Sequence, residues 1–262
     1  MKRSIEDTQI AFIGAGNLAT NLAKALYRKG FRIVQIYSRT EQSASTLARA
    51  VEAEYTTDLS QVTEKAKLYF VTLTDSTFIE LLPQIVEGKS DAMLVHTAGS
   101  IPLSVWEGKA IHYGVFYPMQ TFCKLREVNF KEIPIFLEAG TVEDTDYLKR
   151  IASTLSDKIY ETNSDQRKCL HLAAIFISNF TNHMYTLAEE LLDKYKLPFD
   201  VMFPLIDETA RKVHEIDPYD AQTGPAVRND VNVINNHLSM LKDFPDLYEI
   251  YKQITASIHE HH

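Results

Sequence analysis

Cysteine is scarce: Cys123 and Cys169 are the two in 262 residues. Two thiols cannot build a disulfide framework or a metal cluster, which excludes a secreted disulfide scaffold or a zinc ribbon and makes a reducing cytoplasm the expected compartment. Long apolar runs are missing as well. No stretch approaches the ~18 apolar residues that a membrane helix needs, so no membrane partner is expected. Behind Lys2 and Arg3, the segment Ser4-Ile5-Glu6-Asp7 has no apolar core, and a secretory leader is not expected there. Positive charge is in deficit, with 27 Lys and Arg against 35 Asp and Glu, a net charge of −8. Such a field repels nucleic acid, although a local basic pocket can still hold a small anion. The sequence has no internal repeat and no low-complexity tract. What is present is a globular composition, 45% apolar and 24% charged. A chain this long buries roughly 70–75% of its unfolded surface, enough for one large core or two moderate ones.

The first half alternates β-rich and helical runs. Strands are expected at 9–13, 32–37, 53–56, 67–72, 93–96 and 110–116, with helices at 17–29 and 41–52. Two further strands, 133–137 and 158–161, flank a helix at 142–155. This rhythm predicts an α/β fold with a doubly wound, mainly parallel sheet covered on both faces. After Glu161 the texture is all helical: one long helix over 164–194, then helices near 199–214, 225–242 and 245–258. A break at Thr162-Asn163-Ser164-Asp165, with Asn163 or Ser164 as the helix cap, divides the chain into domains 1–161 and 162–262. The closing His259-Glu260-His261-His262 is set aside from function.

The clearest motif is Gly14-Ala15-Gly16-Asn17-Leu18-Ala19, a G-x-G-x-x-A run that follows an apolar strand and opens a helix. Gly14 permits the tight turn, Gly16 lets a diphosphate approach the backbone, and Ala19 keeps the helix close to the sheet. The helix start near Asn17 then offers free N–H groups and a positive dipole end to phosphate. A dinucleotide is the expected ligand. At the end of the second strand, an NAD-selective site would carry an acid for the ribose 2′-hydroxyl. Here the sequence is Tyr37-Ser38-Arg39-Thr40, with no acid before Glu41. One cation and two hydroxyls suit a 2′-phosphate, so NADP is the expected cofactor. Thr72 and Leu73 end the fourth strand, and His96 and Ser100 border the end of the fifth. All four are expected beside the cofactor, with Asp75 or Ser76 capping the next helix.

With these motifs in view, the chain resembles the Rossmann-type superfamily of pyrroline-5-carboxylate reductases, deazaflavin-dependent NADP oxidoreductases, and 6-phosphogluconate and 3-hydroxyacid dehydrogenases. More narrowly, Gly114-Val115-Phe116-Tyr117-Pro118-Met119-Gln120-Thr121-Phe122 and Thr223-Gly224-Pro225-Ala226-Val227-Arg228-Asn229-Asp230 resemble two segments of a bacterial NADP oxidoreductase subfamily with a helical C-terminal domain of unassigned function. The resemblance covers essentially the whole chain and implies a homodimer formed through the helices. It supplies no substrate. The hydroxyacid dehydrogenases carry a catalytic Lys followed four residues later by Asn, whereas Lys168 is followed by Leu172. The Ser/Gly-rich opening of the reductases has no counterpart in Asp165-Gln166-Arg167-Lys168.

Catalytic candidates are therefore read from the residues themselves. On a regular helix, His171, Ser178 and Asn182 fall within about 40° of one another, with Asn179 further round. A polar stripe on an otherwise apolar helix faces water, a ligand or satisfied partners. The functional reading makes His171 a proton donor and Ser178 and Asn179 substrate-orienting groups; a hydrogen-bonded helix contact is the other reading. Gln120 and Thr121 follow the extended Tyr117-Pro118 exit and are expected to bind substrate. Arg228, behind Pro225 as the first helical residue, is expected to hold an anionic substrate group. His112, His183, His214 and His237 show no metal-ligand spacing, and no metal is expected. The expected activity is hydride transfer between NADP and a small, anionic carbonyl or imine substrate. A pyrroline-5-carboxylate-reductase-like imine reductase, or a non-catalytic NADP-binding sensor or assembly protein, are the alternatives.

Overall fold

The computed structural model describes residues 8–262; the segment 1–7, on which the expectation about a leader rests, lies outside the described residues. Two compact units make up the chain, Met1–Ser178 and Asn179–His262. The first unit thus takes in the start of the long helix, which the sequence grouped with the helical half.

The strands of the first unit are β1 (Gln9–Ile13), β2 (Arg32–Tyr37), β3 (Glu54–Thr56), β4 (Leu68–Val71), β5 (Met93–His96), β6 (His112–Pro118), β7 (Ile135–Ala139) and β8 (Ile159–Glu161). They form one sheet in the order β3-β2-β1-β4-β5-β6-β7-β8. Every residue of β4 and β5 is buried, as their unbroken apolar runs require of central parallel strands. Helices α1 (Asn17–Arg28) and α2 (Glu41–Ala50) join the strands on one face and α3 (Asp75–Val86) on the other, and α4 (Val142–Leu155) shares the core of α1 and α2. The apolar stripe Ala19, Leu22, Ala23 and Leu26 seats α1 on the sheet.

Most pairs are parallel, but β7 runs antiparallel to β6. The stretch between them holds only the 3₁₀ turn Phe130–Glu132. A parallel crossover usually needs a helix there, and the chain turns back instead. Register sets the functional edge. Ile13 pairs with Tyr37 and Val71, and Val71 with His96, so β1, β2, β4 and β5 end level. Strand β6 overruns that line: Val115 pairs with His96, and Tyr117 lies two residues beyond.

The expected long helix is interrupted. Helix α5 (Ser164–Ala174) passes into a π-helical segment, Ile175–Phe180, before α6 (Thr181–Lys194). Asn163 caps α5 by accepting the Gln166 N–H, and the Gln166 side chain returns the bond in a full capping box. The second unit continues with α7 (Phe203–Lys212), α8 (Pro218–Ala221), α9 (Val231–Met240) and α10 (Pro245–His261), and no strand occurs among its described residues. Pro225 does not open a helix, contrary to expectation. Residues 225–229 form turns, and α9 starts after Asp230, whose carboxylate accepts the Val233 N–H at 3.2 Å. Asn229, at φ 50°, provides the left-handed step that ends the turn.

Candidate functional site

The glycine turn has the geometry that its motif requires. Gly14 sits at φ +122°, and a Cβ there would meet Thr72 Oγ1 at 2.5 Å and its carbonyl at 2.7 Å. Its N–H is fixed by the Tyr37 carbonyl at 2.9 Å. Gly16 is the cap of α1, and a Cβ built on it meets nothing within 4 Å. No side chain caps α1 and its first turn contains no acid, so its leading N–H groups remain available. A diphosphate fits this cradle on three counts: open approach at Gly16, free donors and a positive helix end. Ala15 and Ala19 are buried beneath the turn, and Leu18 packs half-buried against the core. Asn17 keeps its backbone at the helix start, while its Oδ1 accepts the Lys124 N–H at 3.3 Å.

Level with this turn lies the end of β2. Ser38 is half-buried with its N–H on the Thr56 carbonyl, and Arg39 and Thr40 are exposed. Arg39 makes no hydrogen bond or ion pair among the described residues. The next acid along the chain, Glu41, accepts the Tyr55 hydroxyl at 3.2 Å. The guanidinium is thereby left for an outside anion. Thr72 and Leu73 are half-buried at the end of β4, where the Thr72 hydroxyl bonds back to the Ile13 carbonyl at 3.3 Å.

His96 departs from the expectation of cofactor contact. It is 1% exposed, with ring centroids 5.5 Å from Phe78 and 6.1 Å from Trp106. Its side chain faces the α3 side of the sheet rather than the open edge. Burial, reinforced by the Arg167 charge, pushes its pKa down to about 3. A pKa depressed from 6.5 means that the unfolded chain binds the proton more tightly, so stability is lost as pH falls through the window from about 6.5 to 3. His96→Asn should flatten that part of the pH–stability curve by a few kcal/mol, because it removes the titration while its carbonyl can still accept the Ala98 N–H that Nδ1 now holds at 3.2 Å. Urea melts of both proteins from pH 4 to 7 check this, and parallel curves would refute it. Ser100, in contrast, is exposed and donates its hydroxyl to Asp75. The cap of α3 is Thr74, not Asp75 or Ser76.

His171 is drawn to the same edge. Its ring lies against Gly99, where a Cβ would come within 2.5 Å of Cγ, so only glycine leaves it room. Its Nδ1 is 3.1 Å from the Tyr117 hydroxyl, and Nε2 has no hydrogen bond among the described residues. Burial raises the Tyr117 pKa, with the Arg167 charge pulling against it. The helix carrying His171 is fastened one turn earlier. Arg167, fully buried, pairs with Glu138 and donates to the carbonyls of Ala98, at 3.2 Å, and Ile101. The Ser164 hydroxyl donates to Glu138 at 3.0 Å and accepts the Leu103 N–H at 2.9 Å. This network ties α5 to the loop after β5. Nothing along the chain warns of it, because Arg167 stands in the charged run 165–168 that otherwise looks solvated.

Ser178 is half-buried within the π segment, where the constant 100° step that aligned it with His171 no longer holds. Asn179 opens the second unit and is exposed, and Arg228 is exposed in the turn before α9 of that unit. Gln120 and Thr121 are exposed beyond β6, with Gln120 Oε1 accepting the Thr121 N–H at 2.8 Å. Together with Cys123, Arg126 and Val128 they line a hollow of about 120 Å³. Among the described residues, no group of three His, Cys, Asp or Glu side chains could hold a metal ion.

Residues 9–99 match the family described as NADP oxidoreductase, coenzyme F420-dependent, and residues 133–258 match a domain of unknown function, DUF2520. A solved structure from Bacteroides fragilis, described as a "putative NADP oxidoreductase", is 69% identical and superimposes with a TM-score of 0.96, over 98% of this chain and 100% of that one. An imine reductase from Myxococcus stipitatus in complex with NADP+ shares the fold at 14% identity and TM-score 0.68, over 96% of this chain and 95% of that one. A Plasmodium falciparum pyrroline carboxylate reductase with NADP bound does so at 13% identity and TM-score 0.60, over 98% and 100%. No curated protein matches the chain.

Proposed function

Because the chain belongs to the family of the Bacteroides fragilis NADP oxidoreductase, with an N-terminal domain of the F420-dependent NADP oxidoreductase type and a DUF2520 domain behind it, we propose that it reduces a small anionic carbonyl or imine at the expense of NADPH. The observation that carries this reading is the convergence, on one sheet edge of one compact unit, of a glycine turn open to a diphosphate, an uncommitted Arg39 and a seated His171. When bound, the coenzyme supplies the hydride. The chain contributes donors at the α1 start for the diphosphate, Arg39 with Ser38 and Thr40 for the 2′-phosphate, and Nε2 of His171 for the proton that the reduced substrate takes up. Gln120, Thr121 and the neighbouring Arg126 offer an amide, a hydroxyl and a cation to an anionic acceptor.

Arg39→Ala should weaken NADPH binding about tenfold to a hundredfold, the worth of one charge-assisted hydrogen bond of about 1.5–3 kcal/mol, while leaving NADH affinity unchanged. Calorimetric titration reads both, and NADH binding equal to or tighter than NADPH in the unsubstituted chain would overturn the preference. Substrate class is tested by NADPH oxidation across short ketoacids, cyclic imines and aldehydes. An absence of turnover with any of them would favour an NADP-binding sensor over an enzyme.

A homodimer formed through the second unit belongs to the same proposal. Phe180, Val201, Phe203, Leu205, Val231 and Met240 are each about half exposed or more, apolar side chains of the kind that an interface between copies would bury. Sedimentation at micromolar concentration reads the mass, and a monomer would contradict the dimer. Two exposed, unpaired thiols, Cys123 and Cys169, support a cytoplasmic location, which cell fractionation tests. No described helix is long and apolar enough to cross a membrane.

A further inference from the structure

No role of its own falls to Tyr117 from the sequence, yet its hydroxyl is the one polar group the described residues offer to His171. The tyrosine is 8% exposed and is held on the rigid β6 strand, paired with Phe136 of β7. Its ring meets the His171 ring edge-on, with centroids 6.2 Å apart. Gly99 backs the imidazole from the β5 side, and Arg167 anchors the helix that carries it. The imidazole is therefore bounded by Gly99 on one side and Tyr117 on another, and its Nδ1 is spoken for.

Resting on the reading of His171 as proton donor, we infer that Tyr117 is a positioning residue that fixes the imidazole so that Nε2, and not Nδ1, exchanges the proton with the substrate. A hydroxyl suits this task because it both donates and accepts. In the resting neutral imidazole, the Tyr117 O–H donates to Nδ1 and leaves the ring proton on Nε2. With the imidazolium formed, Nδ1–H donates to the same oxygen and the hydroxyl turns. The ring keeps one orientation in both states. In the reaction, the N–H bond at Nε2 of the imidazolium breaks as a bond forms from that proton to the reduced oxygen or nitrogen. The electron pair of the N–H bond stays on Nε2, the neutral ring left behind keeps its other proton on Nδ1 against the Tyr117 oxygen, and solvent then returns a proton to Nε2. The hydride comes from NADPH, which is oxidised to NADP+, and Tyr117 undergoes no net change.

Two measurements on the full chain test the inference. In ¹⁵N–¹H spectra of the free protein at alkaline pH, the unsubstituted chain should show His171 as a single Nε2–H tautomer. Tyr117→Phe, which removes one oxygen and keeps the ring, should show a tautomer mixture. With NADPH and the panel acceptor reduced fastest by the unsubstituted chain, the same variant should lose about threefold to tenfold in kcat with little change in KM for NADPH, the effect of one neutral hydrogen bond. A single tautomer persisting in Tyr117→Phe, or a wild-type kcat in that variant, overturns the inference. So does a mixed tautomer in the unsubstituted chain, which decides the matter even if the variant fails to fold. Full turnover in His171→Gln would instead overturn the proton-donor reading, and the spectra would still decide whether Tyr117 holds the ring.

Discussion

His171→Gln should lower kcat about a hundredfold to ten-thousandfold while leaving the Kd for NADPH unchanged. That range is what a positioned proton donor contributes when it is matched to its task. Gln retains polarity and approximate size but has no proton to release near neutral pH. The structure separates the two readouts physically. The diphosphate cradle is built from Gly14, Gly16 and the α1 start, whereas His171 is seated by Gly99 and Tyr117 at the ends of β5 and β6. Stopped-flow reduction of the best panel acceptor reads the chemical step, and fluorescence titration of NADPH reads binding. Parallel loss of both would mean that His171 supports the fold of the site and not its chemistry.

Arg167→Ala should destabilise the first unit by about 3–5 kcal/mol, the cost typical of removing one partner from a buried ion pair. Three groups lose their partner at once: the Glu138 carboxylate and the carbonyls of Ala98 and Ile101. Among the described residues, Glu138 then keeps just the Ser164 hydroxyl, at 3.0 Å. The variant should also lose activity beyond its loss of stability, because the same bonds hold α5, and with it His171, against the loop after β5. Replacing both partners, Arg167→Met with Glu138→Gln, should recover most of the stability, since no charge is then left buried alone. Urea unfolding of the single and double variants measures this. A loss under about 1 kcal/mol for Arg167→Ala would show that the pair is solvated and the network unimportant.

The parts of the molecule that were legible in the sequence are those in which partners lie close along the chain. The glycine turn, its strand and its helix occupy a single short stretch, and β2, β5 and α4 fall on the residues their patterns predict. Arg39 was visible as a candidate cation because the missing acid at the end of β2 is itself a local signal. Arg167 was not. Its partners at Glu138, Ala98 and Ile101 are 29, 69 and 66 residues away, and nothing in 165–168 announces them. Tyr117 was hidden in the same way, 54 residues from His171. His96 misled for a different reason. A polar residue at a parallel strand's end looks like a ligand group, but alternation turns this one towards Phe78 and Trp106. The polar stripe on the long helix failed because residues 175–180 leave the α-helical step, which no periodicity reading of 164–194 anticipates.

The account stands on the turn at Gly14–Asn17 as the grip for a phosphorylated nicotinamide coenzyme. A crystal structure of the full chain grown with NADPH tests it most directly. The predicted result puts the diphosphate on the N–H groups at the start of α1, the 2′-phosphate against Arg39, and His171 Nε2 on the nicotinamide side of the ligand. Density for the coenzyme at any other place on the chain, or a diphosphate more than hydrogen-bonding distance from the Gly16 turn, would contradict it.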